Sequence, residues 1–154
     1  MLTLRPQKDQ DQPFIAHLYR STREAELAAT GWPEAQKELF AAMQLFAQTT
    51  DYRSRYRGAT YELILFNKKP VGRLYLWESG SEIRVIDISL LPEFRGQGLG
   101  RSILTDLLKA ARRKRQTVTL YVAQGNPAKR LYERLGFVKI GDTGASELME
   151  WRPA

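Results

Sequence analysis

Arg95-Gly96-Gln97-Gly98-Leu99-Gly100-Arg101 is the part of this sequence best suited to binding chemistry. Glycines at alternate positions let the backbone turn its N–H groups to one side and let a ligand approach the main chain closely. Ile86, Ile88 and Leu90 alternate before it as a strand does, and Pro92 ends the ladder because it has no N–H to give. After it, Ile103, Leu104, Leu107, Leu108 and Ala111 recur at helical spacing. A strand, a glycine-rich turn and a helix start aim a nest of N–H groups at one point, at the positive end of a helix dipole. That is an anion site, above all a pyrophosphate site. Arg95 or Arg101 can add a charge-assisted bond. A tight strand-to-helix turn that merely uses glycine is the plain alternative.

A second group of residues can move protons. Tyr132 sits on a helix face with Ala128, Leu131 and Leu135, where a phenol can serve as an acid or simply fill the core. Asn126 stands before Pro127 and suits either a helix cap or a ligand contact. The chain has no cysteine, so disulfides, thiolate metal sites and a cysteine nucleophile are excluded. His17 is the single histidine and reads as an ordinary helix residue, which also excludes multi-histidine metal sites.

These residues need a scaffold, and 154 residues are enough for one domain, expected to span 1–154. Leu2 to Arg5 reads as a first strand. Residues 13 to 30 read as a helix with Phe14, Leu18, Thr22 and Ala25 along its inner side. Trp32-Pro33 restarts the chain into a second helix, whose apolar stripe is Leu39, Phe40, Met43 and Phe46. From Thr60 the period changes to two. Strands are expected over 61–66, 71–77 and 82–91, with turns at 67–70 and 79–81. A helix from the glycine turn leads to a strand over 117–123, so 86–123 forms a βαβ crossover between parallel strands. A short helix through Leu135 and strands near 138–142 and 146–152 complete the order β-α-α-β-β-β-α-β-α-β-β. The expected fold class is therefore mixed α/β, with about seven mostly antiparallel strands and four flanking helices.

This order, with Arg95-x-x-Gly98-x-Gly100 after the fourth strand and Asn126…Tyr132…Gly136-Phe137 after the fifth, resembles the GNAT superfamily of N-acetyltransferases. The resemblance covers nearly the whole chain. It implies acetyl-CoA (coenzyme A) as cofactor, with the backbone N–H groups of Gly96, Gln97, Gly98, Leu99, Gly100 and Arg101 around its pyrophosphate. It also implies that the fourth strand splays from the fifth, and that Ile88, Ser89 and Leu90 offer their backbone to the pantetheine arm. The N–H of Leu90 would stabilise the oxyanion. Tyr132 matches the tyrosine that protonates the departing thiolate. Asn126 lies six residues before it, where many relatives place the asparagine seven before, a position held here by Gly125. Many relatives carry a glutamate base on the fourth strand, but the matching position holds Arg84. Glu82, Asp87, Glu62, Glu78 and Glu34 are left as candidates, and relatives without a dedicated base are common.

A net charge of +7, from 24 Lys+Arg against 17 Asp+Glu, favours anionic partners without choosing one. The expected activity is acetyl transfer to the primary amine of a small molecule or peptide, by direct attack in a ternary complex. The rival is a non-catalytic acyl-CoA sensor or basic nucleic-acid-binding module on the same fold. Trp32-Pro33-Glu34 can wall the acceptor side. Tyr52 and Tyr56, with Arg53 and Arg57, read as a packed aromatic pair with a basic rim. Arg112-Arg113-Lys114-Arg115 reads as solvated surface with a possible reach to the adenosine 3′-phosphate. No apolar run reaches membrane-spanning length and no signal-peptide pattern opens the chain, so a cytoplasmic location is expected. Strands at 138–152 are placed at the sheet edge, where a second copy can pair to form a homodimer.

Overall fold

The structure is a computed structural model that describes residues 1–154. Seven strands make one sheet in the order β1-β2-β3-β4-β5-β7-β6. They are β1 (Leu2–Pro6), β2 (Thr60–Phe66), β3 (Lys69–Ser79), β4 (Glu82–Leu90), β5 (Thr117–Ala123), β6 (Val138–Asp142) and β7 (Ser146–Trp151). Every neighbouring pair is antiparallel except β4 with β5. A parallel pair needs a long crossover, and α4 (Leu99–Lys114) supplies it. The other helices are α1 (Gln12–Thr22), α2 (Glu24–Ala28), α3 (Glu34–Arg55) and α5 (Ala128–Arg134).

The element order is the expected one, with one break. At Arg23 the backbone leaves helical geometry, at φ −108° and ψ 4°, so the helix expected over 13–30 is two helices and five flank the sheet rather than four. The inner side of α1 is Ile15, Leu18 and Tyr19, whereas Ala25 is exposed.

Adjacent residues of β2 show how the sheet divides its burial. Ile64 faces α4 and α5, in a core of 16 buried residues that includes Leu74, Val85, Ile103, Leu104, Leu120, Phe137 and Met149. Leu63 points to the opposite face, where only Ile15, Tyr19 and Leu45 join it in a four-residue cluster. This second face, under α1 and α3, also buries Leu18 and Ala41 but mixes them with polar groups. The guanidinium of Arg73 is buried there, donating to Asp87 and to Gln48 Oε1 at 2.8 Å.

That polarity overturns the expected orientation of the second helix. Leu39, Phe40, Met43 and Phe46 of α3 face outward and are exposed, while Ala41, Gln44, Leu45, Gln48 and Tyr52 turn inward. The physical reason lies in the sheet. β3 and β4 offer Arg73 and Asp87 to this helix, and a buried ion pair needs a polar neighbour such as Gln48 rather than a hydrophobic stripe.

Three local features also differ from expectation. The hairpin after β2 turns at Asn67 and Lys68, both with positive φ (50° and 69°), so Pro70 lies within β3, opposite Leu65 at a bulge. β7 lies between β5 and β6, which leaves β6 alone as the edge on that side. In β4, the register with β3 jumps from Asp87 opposite Tyr75 to Val85 opposite Leu76, so Ile86 is an extra residue and the simple alternation of Ile86, Ile88 and Leu90 is broken. A bulge bends its strand. Pairing of β4 with β5 runs from Glu82↔Thr117 to Val85↔Leu120 and goes no further, so the two strands fork where the bulge sits.

A candidate active site at the fork between two strands

A cavity of about 1090 Å³ opens at this fork. Its walls come from both strand ends, the glycine turn, α5 and the inner faces of α1 and α3. The N–H of Leu91 donates to Val71 O at 2.8 Å, which fixes the phase of the β3–β4 ladder. Antiparallel pairing alternates, so the backbone groups of Asp87 and Ser89 also face β3. Those of Ile88 and Leu90 therefore face the other way, across the fork toward β5. The Leu90 carbonyl meets Arg95 Nε at 2.9 Å, which ties one edge of that guanidinium to the strand end.

The glycine turn holds an unpaired run of donors. None of the N–H groups from Gly96 to Arg101 bonds to the protein; Ser102 is the first to reach back, to Gly98 O at 3.0 Å. Gly96 and Gly98 have φ of 72° and 82°, which demand glycine. A Cβ at either would meet no protein atom within 4 Å, so it is the left-handed backbone and the open space in front of it, not internal crowding, that select glycine. Arg95, Gly96, Gly98, Leu99, Gly100 and Arg101 all reach the cavity wall. Gln97 does not, because its side chain donates to Glu93 O at 2.8 Å; it offers only its N–H. Arg134, at the end of α5, joins the same wall and was not anticipated, because nothing in the sequence separates it from the other surface arginines.

Tyr132 lies on the α5 side of the cavity, packed on Phe137 with ring centroids 5.8 Å apart. It is both core and wall, and its hydroxyl bonds to no protein group. Burial pushes its phenol up to about 12, with the nearby Asp87 charge adding to the rise. Asn126 caps the first turn of α5, its Oδ1 accepting from Ala128 N–H at 2.9 Å, while also bordering the cavity.

Asp87 is the one carboxylate of the five candidates on the cavity wall, and the only Asp or Glu there. Arg73 holds one of its oxygens and Ser89 Oγ donates to the other at 2.5 Å. The rest are committed elsewhere. Glu34 pairs with Arg20 at 2.7 Å and Glu78 with Lys114 at 3.5 Å, both on the surface. Glu82 accepts from Thr119 and from Arg84 at 3.4 Å. Glu62 lies on β2 outside the cavity. Arg84 itself bonds Thr119 Oγ1 at 2.8 Å and covers the Tyr121 ring. Across from Asp87, Tyr19, Arg23, Gln48 and Tyr52 complete the end of the cavity under α1 and α3. Burial raises the Tyr52 phenol, and its ring meets Tyr75 edge-on.

Other sequence candidates lie away from this site. Arg112 stacks on Trp151 at 5.3 Å, and the cluster at 112–115 sits about 24 Å of helix from the nest, too far for a phosphate bound there. Tyr52 and Tyr56 are a packed pair at 6.4 Å, and Arg53 covers the Tyr61 ring. No group of His, Asp and Glu is placed to hold a metal ion, and no helix is long and apolar enough to cross a membrane.

Residues 57–139, more than half of the chain, match the acetyltransferase (GNAT) domain, and the chain belongs to that family. Its fold is similar to that of the PaiA N-acetyltransferase from Thermoplasma acidophilum in complex with coenzyme A: TM-score 0.72, 17% identity, 99% of each chain covered. It is also similar to an acetyltransferase from Thermus thermophilus, with TM-score 0.68, 19% identity, and 99% of this chain and 97% of that one covered. The ribosomal-protein-S18-alanine N-acetyltransferase from Escherichia coli has TM-score 0.64 and 21% identity, over 100% of this chain and 95% of that one. No protein of curated function matches the sequence to a significant degree. The family's donor is acetyl-CoA, and the unpaired nest, the arginines beside it and the fork beyond fit a long, anionic, thioester-bearing molecule.

Proposed function

We propose that the protein transfers the acetyl group of acetyl-CoA to a primary amine by direct attack within a ternary complex. The observation that carries this reading is the continuity of one cavity from the glycine nest, past the fork, to Asp87 and the inner faces of α1 and α3. Donor and acceptor can then meet without a covalent enzyme intermediate, for which the chain has no cysteine.

In this reading the N–H groups of Gly96 to Arg101 hold the pyrophosphate, with Arg101 and Arg134 adding charge. The N–H of Leu90, facing the fork, holds the negative charge that develops on the carbonyl oxygen. The amine nitrogen forms a bond to the carbonyl carbon as the carbon–sulfur bond breaks. Tyr132 gives its phenolic proton to the sulfur, and Asp87 takes the proton that leaves the amine, directly or through water. A phenol at about 12 is a weak acid for a thiolate whose own value in water is about 8.5. The same apolar wall that raises Tyr132 also raises a thiol leaving beside it, which keeps the two closer than those values imply.

The test is thiol release against a panel of amines, amino acids and peptide N-termini, with calorimetry of acetyl-CoA binding. Turnover is expected, and Tyr132→Phe should lower kcat by about 100-fold or more with donor binding retained. Gly98→Trp should abolish donor binding. Turnover unchanged in Tyr132→Phe would remove the acid assignment. Binding without turnover on any amine would leave a sensor in place of an enzyme.

A further inference from the structure

The polarity of α3 is inverted relative to the core. Its inward positions include Lys37, Gln44 and Gln48, all half-buried, whereas its outward face carries Leu39 (63% exposed), Phe40 (36%), Met43 (62%) and Phe46 (75%). Trp32, just before the helix, extends this face by packing edge-on against Phe40 at 5.3 Å. Elsewhere the large exposed apolar side chains Leu4 and Tyr121 stand on separate strands, and Val138 and Ile140 form a smaller pair on the edge strand β6. From Leu39 to Thr50 the helix carries no charge at all. Scattered surface hydrophobics are ordinary; a contiguous stripe on one helix is not.

We propose that this stripe is the interface of a symmetric homodimer, in which α3 packs across a two-fold axis against α3 of a second copy. Two properties point to a second copy rather than another partner. The first is charge. Glu34, Lys37 and Glu38 at the start of the helix sum to −1, and Asp51, Arg53 and Arg55 at its end sum to +1. The two ends are thus opposite in sign, although Glu34 also pairs with Arg20 and Arg55 with Asp51 within the chain. A two-fold axis near Met43 runs the helices in opposite directions, which brings Glu34 level with the partner's Arg53 and opposes the helix dipoles. The second is area. Four side chains of this size and exposure present on the order of 500 Å² per copy, and about 1000 Å² in a pair is the size at which specific interfaces begin. The opposite face of the same helix lines the cavity through Gln48 and Tyr52, so the dimer would set two cavities back to back against the shared helix pair.

Sedimentation of this 154-residue chain at micromolar concentration should give twice the chain mass of 17.7 kDa. Met43→Glu with Phe46→Glu should give a monomer that keeps its circular dichroism, because neither side chain packs in the core. Ile140→Lys, on the exposed edge strand β6, should leave the dimer intact. Because the chain has no cysteine, Met43→Cys should cross-link to a disulfide dimer on mild oxidation, and His17→Cys, exposed on α1, should not. A wild-type monomer overturns the proposal, whether inert or bound to lipid vesicles. So does dissociation by Ile140→Lys in place of the α3 variant, or failure of Met43→Cys to cross-link.

Discussion

The two faces of the sheet are built differently although the same strands supply both. Under α4 and α5, Leu74, Val85, Leu104, Leu120 and Met149 belong to a 16-residue apolar core, with Tyr132 and the ion pair of Glu147 with Lys129 (2.8 Å) at its α5 margin. Under α1 and α3 the apolar cluster is four residues wide, and much of the remaining space is held by Arg73, Asp87, Gln48, Ser89 and three tyrosines that meet near Tyr75. The apolar face fixes the geometry of the glycine turn and of α5. The polar face surrounds the end of the cavity where an acceptor would lie. One face spends its interior on cohesion, the other on groups that a substrate can meet. A polar interior of this kind binds more and holds less, since a buried ion pair roughly balances its own desolvation.

That contrast can be broken by substitution. Arg73→Leu should have the largest effect, because it leaves Asp87 in a half-closed site without its partner: about 3–5 kcal/mol of stability lost. Adding Asp87→Leu should restore much of that stability while turnover stays lost. Chemical denaturation combined with the thiol-release assay measures both; if the double variant is as unstable as the single, the polar face contributes cohesion after all. Met149→Ala, fully buried and away from the cavity wall, should cost about 2–5 kcal/mol in the same unfolding experiment, with the acceptor KM of the folded fraction unchanged. A raised acceptor KM in that variant would show that the two faces are not separable.

The smallest effect concerns pH. Asp11, at the entry to α1, accepts two bonds of 2.8 Å from Arg5 and one of 2.8 Å from the Lys8 N–H. The Arg5 hydrogen bonds hold its carboxyl at about 2, below the ordinary 3.8. A depressed carboxyl stabilises the fold above its unfolded value, and that stability is lost as pH falls from about 4 to about 2. The amount is on the order of 2 kcal/mol. Thermal melts of Asp11→Asn should lack this acid-side slope, while the alkaline side stays as in the wild type.

The glycine turn and the elements around it were legible because they are local in sequence. A strand, three spaced glycines and an amphipathic helix are contiguous in sequence, and the short helix bearing Tyr132 follows within one further strand. The match to the acetyltransferase domain falls on 57–139, which starts just after α3. The helices that enclose the other end lie outside it. Their reading failed for a physical reason. Helical periodicity shows that Leu39, Phe40, Met43 and Phe46 share a face, but not which face the sheet receives. That depended on Arg73 and Asp87, which meet across a hairpin whose bulge at Ile86 no single-strand pattern reveals. Arg134 was missed for a similar reason, since only its place at the end of α5 distinguishes it.

The fork between β4 and β5 also poses a hazard of its own. Past Val85 and Leu120 the sheet contains two raw edges in its interior, each with main-chain donors and acceptors that any extended peptide could zip onto. The molecule guards them as outer edges are guarded. The bulge twists β4 away from a flat template, Arg95 occupies the Leu90 carbonyl at the mouth, and helices cover both sides of the opening. The site is thus kept open to a slender ligand while being closed to a strand.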